Sequence, residues 1–281
     1  MQPRSRLRMK SNLPEVASKR GRNGRRGRPS SGGKLSGPAF ARTRPAPRSK
    51  GESLGDFAYR IMREAIRSGR FRPGEHLREA DVAQWLGISR TPVREAFHRL
   101  ISEGLLTDGP WNGALLAELD SRQLTELYAV REALEGIAAS LAAQHASEDE
   151  IATMFRIAET EARHRNDPAK LVVINAELHQ AFYQAAHNRY LLQSLNTVVD
   201  ALGLLRHSTF ILPGSIETAH RQHLQIIRAI RDRKPAEAER VAREHVRQAL
   251  HMRLQLPAYT SAAERTETTA APAAAERLRG R

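Results

Sequence analysis

The chain has 281 residues, enough for two domains with cores of their own; 40% are hydrophobic and only 5% aromatic, a balance that favours helices packed with Leu, Ile and Ala. It contains no cysteine, which excludes a disulfide framework and thiolate metal sites and fits a reducing cytosol. The net charge of +14 is confined to one end: residues 1–50 carry fifteen Lys and Arg against the single acid Glu15, leaving thirty bases against thirty acids in the rest.

The basic segment 1–52, with "SKRGRNGRRGRPSSGGKLSGPAFARTRPAPRSK", is rich in Arg, Gly, Pro and Ser and has no apolar periodicity. It reads as a disordered tail able to touch DNA phosphates without reading sequence, or as an extension without function. No apolar core follows Arg25-Arg26, so an export signal is not expected, and the Gly and Pro content opposes the amphipathic helix of a transit peptide. No window approaches the roughly 18 apolar residues of a membrane span. The expected location is the cytoplasm.

Ordered sequence is expected from Ser53. In "LGDFAYRIMREAIRSG", Phe57, Ile61, Ala65 and Ile66 share one helical face, and Gly69 ends the pattern. "RPGEHL" reads as a turn and a short extended link. "EADVAQWLG" is a second, short helix with Ala80, Val82, Ala83 and Leu86, closed by Gly87. The third helix lies in "GISRTPVREAFHRLISEGLL", with Ser89 as N-cap, Pro92 in the first turn, and Val93, Phe97, Leu100 and Ile101 as the inward stripe. Arg90, Thr91 and Arg94 are left outside at its positive end. Such residues oppose the helix dipole and suit a place where a polyanion arrives. There Arg can fork onto guanine O6 and N7, and Thr can meet a phosphate or a thymine methyl. The competing reading is a solvated face paired with acids such as Glu95. "LLTDGPWNGALLAEL" then gives two apolar runs around a Gly/Pro/Asn turn, a hairpin signature. Three short helices and a hairpin over 53–118 follow the order of a winged helix-turn-helix.

From Asp120 the pattern is helical, with helices at about 121–144, 147–165, 168–187, 189–208, 215–233 and 235–254. Asp120…Gln123 and Ser147…Glu150 have capping-box spacing, Pro168 and Pro235 suit first turns, and "PG" at 213–214 marks a break. The fold class is therefore mainly α: a small β-hairpin wing in the first domain, then an all-α bundle of about six helices over 119–254. Residues 255–281 lose the apolar stripe and read as a second disordered tail. Within the bundle, His179 neighbours Leu178 and Phe182, His223 shares a face with Ile226 and Ile230, and His245 with Val241. Three imidazoles converging from three helices can hold a divalent ion such as Zn²⁺ or Ni²⁺. No HxxxH or HExxH pattern anchors that set, so satisfied core histidines are the other reading.

"LREADVAQWLGISRTPVREAFHRLISEGLL" resembles the DNA-binding domain of GntR-type bacterial repressors, whose hallmark is Ser-Arg-Thr-Pro-Val-Arg-Glu-Ala followed by Leu and Glu-Gly-Leu. "ELYAVREALEGIAASLAA", "NAELHQAFYQAAHN" and "HLQIIRAIRDRKPAEAERVAREHV" resemble the FCD effector domain of the FadR branch. The resemblance implies that Arg90, Thr91 and Arg94 contact DNA. It also implies that Gly113 is the wing glycine, with Trp111 and Asn112 at the tip near the minor groove. Where the family often has a DNA-contacting arginine in the second helix this chain has Ala80, so one base contact is expected either to be missing or to come from elsewhere, Arg78 or the basic tail. It further implies a metal on His179, His223 and His245. The family's Asp, four residues before the first His, is here Asn175, a weaker oxygen ligand. His220, one turn before His223, is expected at the surface, with a substitute metal ligand as its other reading. Arg131 matches a family arginine near the pocket, where it would meet a small carboxylate effector, or else pair with Glu132 or Glu135; Arg206 is a second candidate.

The expected function is that of a DNA-binding regulator, foremost a repressor, acting as a homodimer on a pseudo-palindromic double-stranded operator and not as an enzyme. A metalloenzyme on a DNA-binding module would lack an obvious general base, since Glu177, two residues from His179, is expected on a different face. A general nucleic-acid coating protein would depend on residues 1–50.

Overall fold

The computed structural model describes residues 45–276 apart from Asn112 and Arg206, with side chains as far as Pro257. The expectations for the basic segment up to residue 44, for Asn112 and for Arg206 lie outside the described residues.

The first domain is built on α1 (Leu54–Arg67), capped by Ser53, whose hydroxyl accepts the Asp56 N–H. Phe57, Ala58, Ile61, Met62, Ala65 and Ile66 form its buried face. The "RPGEHL" link is more than a link: His76–Arg78 form β1, with Leu77 fully buried between two outward side chains. α2 (Glu79–Leu86) ends at Gly87, whose φ of 69° is the left-handed turn that glycine adopts without strain. α3 (Arg90–Ser102) buries Pro92, Val93, Ala96, Phe97 and Leu100. The hairpin consists of β2 (Leu106–Gly109) and β3 (Gly113–Leu116). With β1 it makes an antiparallel sheet of order β1-β3-β2, in register His76↔Leu115 and Leu106↔Leu116. The wing thus has a third strand, invisible to a hairpin search because a three-residue run carries one period of alternation.

The second half comprises α4 (Ser121–His145), α5 (Glu148–Arg163), α6 (Pro168–Ala185), α7 (Arg189–Leu202), α8 (Ser215–Arg231) and α9 (Pro235–Glu276), with a 3₁₀ turn at Thr209–Ile211. Both capping boxes form, at Asp120/Gln123 and Ser147/Glu150. Gly214 takes a left-handed φ of 71° where the "PG" break was read. α4 packs along α9, while α5, α6 and α8 close the rest of the bundle around Leu178, Leu195, Ile226 and Ile227. Burying each such side chain stabilises the fold by about 1.5–3 kcal/mol.

Two boundaries differ from the sequence reading. α7 stops at Leu202, not at 208, because Leu204 turns away to join the core of the first domain. The backbone of α9 runs on as helix to Glu276, where a disordered tail is expected from 255. That segment lacks an apolar stripe, but eight of its residues 255–276 are Ala, the strongest helix former.

Candidate functional site

Two surfaces carry chemistry. At the start of α3, Arg90 and Thr91 are exposed, and Ser89 makes no side-chain capping bond to the first turn. Arg94 is not paired with Glu95. Its Nε and Nη2 donate to the two carboxylate oxygens of Glu79, both at 2.8 Å. The Glu79 side chain is only 9% exposed, whereas Arg94 is 56% exposed and reaches solvent. The Arg94 hydrogen bonds hold the Glu79 carboxyl below its ordinary range. Arg78 is exposed at the N-cap of α2, beside the half-buried Ala80.

Gly113 sits inside the sheet, opposite Arg78 and Gly109. A Cβ on it would lie 2.5 Å from His76 Nε2 and 2.6 Å from the Leu77 carbonyl oxygen. Close backbone approach is thus the physical reason for glycine at this position. Beyond it the wing turn presents Trp111, 87% exposed and with φ at +55°, a conformation that costs a bulky residue strain. His76 Nε2 lies 2.8 Å from the Pro110 carbonyl oxygen and pins the base of that turn.

The second surface is inside the bundle. α6, α8 and α9 bring His179, His223 and His245 together, with one nitrogen of each within 4.8 Å of the others. Every Nδ1 is already engaged: His179 with Glu135 at 2.9 Å, His223 with Glu161 at 2.9 Å, and His245 with Gln222 at 3.0 Å. The Nε2 atoms of His179 and His223 are buried without a hydrogen-bond partner. Burial pushes His179 down, and His245 well down, from the ordinary imidazole range, a direction that favours the neutral rings a metal requires. Unpartnered buried nitrogens facing one point, on rings oriented by carboxylates, fit a divalent cation.

Around these rings lie Glu135, foreseen only as a partner of Arg131, and Tyr183 and Glu161, which the sequence did not single out. Burial alone would raise the Glu135 carboxyl, but Arg131 and His179 outweigh it and hold it well below the usual range. Glu135 also accepts the Tyr183 hydroxyl at 2.8 Å. Glu161, against its own burial, is held low by His223 and His220. His220, expected at the surface, is buried, and its Nδ1 lies 2.8 Å from Glu161. The i, i+4 spacing of Arg131 and Glu135 was the one signal for this shell. Nothing local in the sequence ties Glu161 to α8.

Arg131 is buried and donates through Nε to Glu135 at 2.6 Å, beneath the Tyr128 ring. Burial opposes its charge, yet Glu135 keeps the guanidinium above even its usual basic range. One edge of Arg131 is thus occupied, as the salt-bridge reading anticipated. Arg131 nevertheless lines a cavity of about 730 Å³ together with His179, His245, Asn175, Gln222 and Phe210. Two of the three expected ligands, His179 and His245, and Asn175 therefore border one space, large enough for a small organic molecule, while His223 lies buried outside its lining.

Residues 54–115 match the family model described as bacterial regulatory proteins, gntR family, and residues 126–248 match the FCD domain. The chain is 30% identical over 191 residues to the HTH-type transcriptional regulator YdhC of Bacillus subtilis (strain 168), an alignment spanning 67% of this chain and 84% of that one. It is 31% identical to the Nta operon transcriptional regulator of Aminobacter aminovorans, over 66% and 88% of the two chains. A probable D-xylose utilization operon transcriptional repressor of Paenarthrobacter nicotinovorans is 32% identical, over 64% and 80%. Among solved structures, E. coli McbR/YncC superposes with a TM-score of 0.66 at 22% identity, covering 73% of this chain and 99% of that one, a likeness of fold.

Proposed function

Because the chain belongs to the GntR family of bacterial regulatory proteins and carries an FCD domain, we propose that it is a repressor whose grip on DNA is set by a small carboxylate and a metal ion. It is a DNA-binding transcriptional regulator and not an enzyme. Among the described residues no helix is long and apolar enough to cross a membrane. We place the protein in the cytoplasm with its DNA.

In this reading Arg90, Thr91 and Arg94 enter the major groove at the positive end of α3. Arg78 reaches the neighbouring backbone in place of the missing second-helix arginine. The role of Gly113 is to hold the wing that presents Trp111. Two copies bind the two halves of a pseudo-palindrome. Val130 and Ile137, seven residues apart and both exposed on α4, offer an apolar stripe for the second copy.

In the bundle His179, His223 and His245 would hold Zn²⁺ or Ni²⁺, with Asn175 as a weak fourth donor. The ion, when bound, acts as a Lewis acid that attracts an anionic oxygen. Glu135, Glu161 and Gln222 orient the rings, and the free edge of Arg131 accepts the effector's carboxylate. The observation that carries the reading is the pair of buried, unpartnered imidazole nitrogens on His179 and His223, the first of which lines the cavity.

The experiment is a titration of metal-freed protein with Zn²⁺ by calorimetry, paired with selection of bound duplexes from a random pool. One ion per chain and an enriched pseudo-palindrome are expected. Absence of metal binding removes the effector half of the proposal, and enrichment of no sequence removes the operator half.

A further inference from the structure

The reading head and the bundle are joined by a cluster of charges. Asp200, near the end of α7, is 3% exposed. It accepts from Arg63 Nε at 2.6 Å and from Arg67 Nε at 3.1 Å, both on α1 of the head. Arg67 Nη2 also donates to Asn196 Oδ1 at 3.2 Å. Just beyond, the two backbones touch: a Cβ on Gly203 would lie 2.7 Å from Arg67 Cα and from the Ile66 carbonyl oxygen. Leu204, the next residue, is buried in the head's own core.

The same seam walls the cavity. Arg67, Ser68 and Gly69 line it from the head, and Val199, Leu202 and Gly203 from the bundle, with His179 and His245 also lining it. Arg67 therefore has two employments. It bonds the buried Asp200, and it lines the cavity of the proposed effector site.

We propose that Arg67 is an effector-binding residue supplied by the DNA-reading domain, and that Arg63, Arg67 and Asp200 form a latch which a bound carboxylate opens. The inference rests on the effector reading of the cavity. A ligand carboxylate is the same acceptor as Asp200 and competes for the same donor. To meet it with the paired Nη groups, the Arg67 guanidinium must leave Asn196 and turn, which stretches the longer of the two bonds to Asp200. Arg63 alone then holds the buried carboxylate, and α1 loosens on α7. Because binding free energies are linked, whatever opens the latch by this route is itself bound more tightly when the latch is weak.

The test uses the full chain and two variants that open the seam differently. Asp200→Asn removes the charge and keeps the shape; Gly203→Ala leaves the charges and wedges a methyl group between the backbones. Amide hydrogen exchange in α1 and α7 is expected to quicken about tenfold or more in both, while α5 and α8 keep their rates. Zn²⁺ affinity is expected to stay within about twofold of the unaltered protein, because the three histidines lie outside the latch. In the Zn²⁺-loaded unaltered protein, a series of dicarboxylates from malonate to adipate should include one that quickens the same amides. Arg67→Gln should bind that one about tenfold more weakly or worse. Unchanged exchange in both seam variants overturns the latch. Equal affinity in Arg67→Gln, or no dicarboxylate that moves those amides, overturns the role of Arg67. Failure to bind Zn²⁺ would count against the functional reading, and exchange in the metal-free seam variants would still decide the latch.

Discussion

Glu79→Gln separates aiming from attraction in the DNA contact. Arg94 spends Nε and one hydrogen of Nη2 on Glu79, through two 2.8 Å bonds. Of the five guanidinium N–H groups, the end-on pair on Nη1 and Nη2 is left, and this is the pair that fits guanine O6 and N7. Glu79, nearly buried, is the anchor; Arg94, more than half exposed, is the pointer. An amide at 79 keeps one acceptor and loses the fork.

A well-placed bidentate contact discriminates by about 1–3 kcal/mol, and the proposed dimer has two, so full loss is ~2–6 kcal/mol. The variant keeps the arginine and loses its aim, so the low end applies: roughly a thirtyfold fall in the ratio of operator to random-duplex affinity. Random-duplex affinity itself should rise slightly, since each protomer sheds a negative charge beside the groove. Arg94→Ala is the less clean experiment. It strands a nearly buried carboxylate, which costs about 1–3 kcal/mol of the head's stability and mixes unfolding with lost contact. The double variant Glu79→Gln/Arg94→Gln closes the cycle. The assay is competition binding at fixed salt on the selected operator and on a copy with one guanine replaced. A uniform loss on all duplexes, with the preference for that guanine intact, would refute the aiming role.

Zinc at a hundred times its Kd should stabilise the bundle by about 2.7 kcal/mol, removable by chelation and absent in His223→Ala; a zinc response that survives in that variant places the ion elsewhere. Without metal, burial holds His179 and His245 below the ordinary imidazole value of 6.5. The unfolded chain then binds more protons than the folded one as pH falls through that value, so stability present above it is lost below. Urea unfolding in chelator at pH 7.5 and 5.5 checks the sign, and greater stability at the lower pH contradicts it. Gly113→Ala should cost the head about 1–3 kcal/mol by overpacking against His76 and Leu77. If melting is unchanged and only DNA binding is lost, Gly113 acts at the groove.

The parts of this molecule legible in its sequence were those fixed by local chemistry. Capping boxes at Asp120 and Ser147, the glycine stop at 87 and the 3.6-residue stripes each depend on residues within one or two turns. So did the histidine faces, because a helix position fixes the side that a residue shares. The partners of those histidines were not legible: Glu161 meets His223 across 62 positions and Glu135 meets His179 across 44. The single residue of alternation at Leu77 hid β1, and Leu204 ended α7 early for the sake of a core formed by residues 57–117. For His220, an i−3 position from His223 looked like the outer face only because the acid opposite, Glu161, could not be foreseen.

Asn175 gives the sharpest test of how ion and effector depend on each other. It lines the cavity one helical turn before His179, and its amide is neutral. With a divalent ion bound, the buried frame holds that ion and Arg131 against Glu135 and Glu161, an excess of one positive charge. Leaving such an excess out of water is costly, and an effector carboxylate cancels it. Asn175→Asp supplies the cancelling charge permanently. At about 4 Å and an effective dielectric near 20 one such charge is worth up to about 4 kcal/mol, and partial exposure of residue 175 reduces this to about 1.4 kcal/mol, or tenfold, as a working floor. Zn²⁺ should therefore bind about tenfold tighter in the variant, and a dicarboxylate about tenfold more weakly, both read by calorimetry. Opposite signs are the essential feature. Two affinities that rise together would mean that the carboxylate answers to groups other than the charge at the ion, and the coupling drawn here between metal and effector would fall.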